Sequence, residues 1–208
     1  KQTGGHGQYG EVMMRIEPKT RGAGFEFTQS IVGGAIPKQY IPGIEKGVKE
    51  ALEGGVLAHY PVVDVKVDVF DGSFHDVDSS EMAFKIAGLH AFKEAMQKAK
   101  PQLLEPVMNV TIYVDKSFLG DIMSDITGKR GRVLGMTSKD DASDEGITIV
   151  KAQVPFAELL RYSIDLKSMT SNRATFEMNF SHYDPINGRI ADTVIESRKK
   201  MLEELKEQ

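Results

Sequence analysis

The sequence predicts an α+β protein built as two domains. Three observations lead there. Strict alternation of valine with charged residues occurs in the same 208-residue chain as apolar residues at helical spacing. From Glu105 onward the order of elements reads strand, helix, strand, strand, helix, strand, a split βαβ or ferredoxin-like unit of roughly 80 residues. The length suits one large domain or two small ones, and 40% hydrophobic with 27% charged residues is ordinary globular usage.

The elements follow in order. Gln8–Glu17 reads as a strand with Val12, Met14 and Ile16 on one face. A loop from Pro18 to Gly24, rich in Gly and basic residues, leads to a second strand over Phe25–Ile31, which Gly33-Gly34 breaks. Ile41, Ile44, Val48 and Leu52 define a helix near Lys38–Glu53, ended by Gly54-Gly55. Pro61–Asp71 is the clearest strand, with Val63, Val65, Val67 and Val69 on one face, and Asp71-Gly72 reads as a turn. Asp78 suits a helix N-cap, with Glu81 completing a capping box. The following helix reaches about Lys100 and carries Ala83, Ala87, Ala91 and Ala95 as a small-residue stripe that suits close packing on a sheet. Met82, Ile86, Leu89 and Met96 widen its apolar face.

The second domain reads as a strand over Val107–Asp115, a short helix over Leu119–Thr127, strands over Arg132–Ser138 and Gly146–Val154, a helix over Ala157–Ser168 and a strand over Arg173–Tyr183. A last amphipathic helix, Ile190–Leu205, presents Ile190, Val194, Ile195, Met201, Leu202 and Leu205. The domains divide as 1–103 plus the C-terminal helix 188–208, and 104–187.

Composition excludes several functions. Cysteine is absent, which removes disulfides, thiolate metal sites and cysteine nucleophiles. The net charge is −4. Residues 1–103 hold 12 basic against 13 acidic residues, 104–187 hold 9 against 12, and 188–208 hold 5 of each. No region is basic enough to coat bare nucleic acid by charge alone. No apolar run approaches the ~20 residues of a membrane span, and no signal peptide is visible. The start at Lys1, without an initiator Met and inside a Gly-rich stretch, reads as a segment of a larger protein.

Few stretches suggest chemistry. No G-x-x-x-x-G-K-[ST] occurs, so the chain has no P-loop. Gly4, Gly5, His6, Gly7, Gln8, Tyr9 and Gly10 form a loop whose bare amides and polar side chains suit phosphates or bases; on composition alone a flexible hairpin end is the commoner reading. Asp76-x-Asp78 is reminiscent of Asp-based phosphatases, but the doubly wound sheet that normally carries that signature is missing. The acidic loop Asp140–Glu145 reads as solvated, and the histidines show no metal-ligand spacing. Lys129, Arg130 and Arg132 form a basic turn that suits phosphate contact or plain solvation.

Several stretches together resemble the C-terminal part of the translational GTPase elongation factor G. They are Lys1–Gly10, Gly33–Pro42, Tyr60–Asp64, His75–Lys85, Leu104–Pro106, Gly120–Ile122, Lys129–Gly131 and Val154-Pro155. The resemblance runs in order along essentially the whole chain. It implies domain IV, an S5-like arm with a left-handed βαβ crossover and its first strand missing here, followed by domain V with a ferredoxin-like sandwich. The last helix would return to domain IV.

The resemblance also implies function. Two loops would form an RNA-binding tip that enters the small-subunit decoding site and meets the tRNA–mRNA duplex during translocation. The first carries Gly4, Gly5, His6, Gly7, Gln8 and Tyr9; the second carries Ser73, His75, Asp76, Asp78 and Ser79. Lys129, Arg130 and Arg132 would face the large-subunit stalk base. The chain itself would be non-enzymatic and monomeric, act in the cytoplasm, and hold neither metal nor cofactor, with GTP and Mg2+ bound by a G domain upstream. His6 stands where the family usually has Arg, and Thr3 where it has Ser, a pattern similar to a paralogous second form. That form raises the alternative of ribosome recycling. Ribosome protection is the other alternative, but the intact Gly4–Gly10 and His75–Glu81 stretches argue against it.

Overall fold

The computed structural model describes residues 7–138 and 146–206. Gly4, Gly5, His6 and the acidic loop Asp140–Glu145 lie outside the described residues. The chain forms two compact units, one of residues up to Gln102 together with those from Asn187 onward, the other Leu103–Ile186.

In the first unit, β1 (Glu11–Pro18) and β2 (Glu26–Gln29) flank β3 (Val65–Ser73), antiparallel and parallel to it respectively. Val65, Val67 and Val69 are buried, as the alternation requires of a central strand. They pack against α1 (Ile41–Gly54) and α2 (Glu81–Lys98) through Ile44, Val48, Phe84 and Phe92, with Tyr40 stacked on Phe84 at 4.9 Å. The helices touch backbone to backbone. A Cβ on Gly47 would strike the Lys85 carbonyl oxygen, and one on Gly88 would lie 2.8 Å from the Ile44 carbonyl oxygen. α2 also lies against β1. Its fully buried line is Phe84, Gly88 and Phe92; of the alanine stripe only Ala83 is buried, while Met82 and Ile86 are exposed.

Two local expectations are corrected. The strand begins at Val65 because Asp64 adopts positive φ. It also runs through Asp71-Gly72, which is no turn: Glu11, Val12 and Met13 pair with Ser73, Gly72 and Asp71, past a bulge at Met13/Met14. Glycine is needed there because a Cβ would meet the Glu11 carbonyl oxygen and Ile36.

The second unit runs β4 (Leu103–Asp115), α3 (Leu119–Gly128), β5 (Arg132–Ser138), β6 (Ile147–Pro155), α4 (Tyr162–Met169) and β7 (Ala174–Ile186). The antiparallel sheet has the order β5-β6-β4-β7, the ferredoxin-like arrangement. Val110, Ile112, Val114, Val150, Ala152 and Val154 pack with Ile122, Ile126, Tyr162 and Leu166 of the helices. The predicted helix over 157–168 is instead a 3-10 turn, Phe156–Leu159, followed by α4.

The closing helix α5 (Gly188–Lys206) groups with the first unit. Its stripe is covered only in part. Ala191 is buried and Val194, Ile195 and Leu202 are half-buried, whereas Ile190, Met201 and Leu205 are exposed. Arg198 lies 5.4 Å over the Tyr60 ring. Among the described residues no helix is long and apolar enough to cross a membrane.

Candidate nucleic-acid interface

The extension of β3 to Ser73, paired with Glu11, brings the chain beside the segment that enters β1. There the described end of the first predicted loop, Gly7 to Tyr9, meets the second. The Tyr9 amide donates to the Asp78 carbonyl at 2.9 Å, and the Gly7 amide donates to Asp78 Oδ1 at 2.9 Å. Ser79 joins both loops: its hydroxyl donates to the Tyr9 carbonyl at 2.9 Å and accepts from the His75 amide at 2.8 Å. The Ser79 amide donates to the His75 carbonyl at 3.0 Å, which closes the loop around its apex. Ser73 Oγ donates to Glu11 at 2.5 Å; with its single proton spent, it accepts the Tyr9 hydroxyl at 2.6 Å.

Asp78 is not the helix cap. Ser80 caps α2, its hydroxyl accepting from the Ala83 amide at 3.0 Å. The cap falls two residues later because the Asp78 carboxylate is drawn to the other loop. His75 is half-exposed at the apex, its Nδ1 3.4 Å from Asp78 Oδ2 and its ring edge-on to Tyr9 at 6.5 Å. Asp76 and Val77 are exposed beside it. Among the described residues of the two loops, the one carboxylate that approaches the His75 ring is Asp78, while Glu11 is engaged by Ser73. Among the described residues no group of three or more His, Asp or Glu is arranged to hold a metal ion.

Two cations of the basic turn, Lys129 and Arg130, have their charges balanced by carboxylates. Lys129 Nζ lies 2.8 Å from Asp125 and 3.3 Å from Asp165, and these carboxylates hold its pKa above the ordinary lysine value despite burial. Arg130 donates to both oxygens of Glu105 at 2.7 and 3.0 Å and to Glu158 at 2.9 Å, and the Glu105 bonds lead in raising its pKa. Arg132 donates to Gln153 at 3.0 Å. Glu105 and Glu158 are the partners that sequence reading missed, and no local spacing points to them. Asp125, four residues before Lys129, was visible as an i,i+4 pair.

The fold and this tip define a class: a ferredoxin-like unit in one chain with a three-stranded α/β unit whose interlocked loops offer polar groups. The model of "Elongation factor G, domain IV" matches residues 1–100, and that of "Elongation factor G C-terminus" matches residues 102–194. The chain belongs to the elongation factor G family. It is 52% identical to elongation factor G of Aquifex pyrophilus over 198 residues, 95% of this chain and 28% of that protein. It is 49% identical to an elongation factor G-like protein of Thermotoga maritima over 204 residues, 98% of this chain and 29% of that one. A crystal structure of a protein from Thermus thermophilus superposes with a TM-score of 0.80 at 41% identity, over 96% of this chain and 29% of that one. The chain thus spans less than a third of the length of these relatives.

Proposed function

We propose that this chain is the ribosome-binding C-terminal part of a GTP-dependent translation factor, and that its tip enters the decoding site and contacts the tRNA–mRNA duplex during translocation. The interlocking of the Gly7–Tyr9 segment with the His75–Ser79 loop carries this reading. A tip that reaches into RNA gains from being ordered beforehand, because ordering it on contact would subtract from binding. His75 and Tyr9 offer hydrogen bonds to 2′-hydroxyls and phosphates. The near-neutral charge keeps such an arm from adhering to RNA indiscriminately. GTP and Mg2+ would be bound by a G domain outside these 208 residues, and the protein would act as a cytoplasmic monomer. With Lys129 and Arg130 already paired to carboxylates, the basic turn supports a large-subunit contact less strongly than the tip supports its own.

The test is single-round translocation by the full-length protein on pre-translocation ribosomes. His75→Ala is expected to slow translocation by at least roughly tenfold, as for loss of one oriented contact worth 1.4 kcal/mol, and to slow it more than GTP hydrolysis. Equal rates for variant and wild type would remove the tip reading. A second reading, a paralogue dedicated to ribosome recycling, is favoured by His6, which stands where the family usually has Arg. GTP hydrolysis on ribosomes and subunit splitting without translocation would select it.

A further inference from the structure

Asp78 looks at first like one more polar residue available to a partner, yet its side chain is only 11% exposed. Its two oxygens face different loops. Oδ1 accepts the Gly7 amide, 71 positions away in sequence, while Oδ2 faces His75 Nδ1. A Cβ on Gly7 would lie 3.0 Å from the Asp78 Cγ, so the carboxylate packs closely against the Gly7 backbone. The Val77 amide also points at His75 Nδ1, at 3.4 Å. With Nδ1 bare it accepts from Val77; with Nδ1 protonated it donates to Asp78. In both states Nδ1 is turned into the loop, and Nε2 makes no hydrogen bond among the described residues.

We propose that Asp78 is the positioning residue of the tip, tying the backbone of the first loop to the ring of His75 so that Nε2 is presented to a hydrogen-bonding group of an RNA duplex. The RNA part rests on the reading given under Proposed function; the tie between the loops does not. Two measurements separate them. In the isotopically labelled 208-residue chain, Asp78→Ala is expected to speed hydrogen exchange at the Gly7 amide by roughly tenfold or more, the scale of a lost hydrogen bond to a charged group, and to shift the His75 ring nitrogens. Asp78→Asn keeps an acceptor for Gly7 and is expected to restore most of its protection, while exchange at Val67 and Val69 stays as in wild type. Unchanged Gly7 exchange in Asp78→Ala would overturn the proposal. So would a loss of protection that extends to Val67 and Val69, since Asp78 would then be a folding residue.

In the full-length protein, Asp78→Ala and His75→Ala combined are expected to slow translocation no more than His75→Ala alone, because the carboxylate acts through the ring. Additive losses would overturn the positioning role. If His75→Ala itself has no effect while the Gly7 result holds, the RNA reading falls and the loop tie stands.

Discussion

Asp64 illustrates how one side chain fixes a loop. It adopts positive φ, is 8% exposed, and accepts the Gly24 amide at 2.9 Å and the Gly22 amide at 3.1 Å. These backbone hydrogen bonds, with Arg21 adding attraction, hold its pKa below the ordinary value of 3.8 despite burial. A carboxylate depressed in the folded state contributes stability that is fully present above its unfolded pKa and is lost as pH falls through the folded one. Asp64→Asn is therefore expected to cost about 1–3 kcal/mol near neutrality, the range for a hydrogen-bonded charge. The loss should shrink as pH falls below about 4. Urea unfolding of both proteins at pH 7 and pH 3 checks the magnitude and the sign.

At the scale of elements, the α1–α2 contact depends on absent side chains. Gly47 faces the Lys85 carbonyl oxygen and Gly88 faces Ile44, so each helix carries a glycine against the backbone of the other. Gly47→Ala forces the helices apart and is expected to destabilise the first unit by about 1–3 kcal/mol, as overpacking does, although alanine is the better helix former. Gly54→Ala, with open space around its Cβ position, serves as the control and should cost less. Thermal unfolding followed by circular dichroism separates the two. Sequence periodicity placed both helices within a few residues, but drew attention to the alanines of α2. Composition marks a small residue; it does not mark what lies opposite.

Considered whole, the molecule has a net charge of −4 and lacks the excess of positive charge that grips phosphates unaided. Even the turn at Lys129 and Arg130 is neutralised by Asp125, Asp165, Glu105 and Glu158. Binding of the 208-residue chain to a free RNA duplex at physiological salt is expected to be weaker than about 10⁻⁴ M, the weak end of non-specific binding. Fluorescence anisotropy with a short duplex measures it. Micromolar affinity would mean that the tip recruits RNA, instead of being delivered to it by the rest of the protein.

Local patterns already specified the element order, the βαββαβ unit, the valine strand and the family resemblance, because each depends on residues within a few positions of one another. Tertiary structure decided the rest. Asp78 reads as a cap until Gly7, 71 residues away, takes its carboxylate and leaves the cap to Ser80. Asp71-Gly72 reads as a turn until β1 pairs with it. Arg130 reads as a free cation until Glu105 and Glu158 close on it from 25 and 28 positions away. In each case short-range preference was weak, and a hydrogen-bonding partner brought in by folding outweighed it, since a polar group denied such a partner costs more than a cap or turn preference returns.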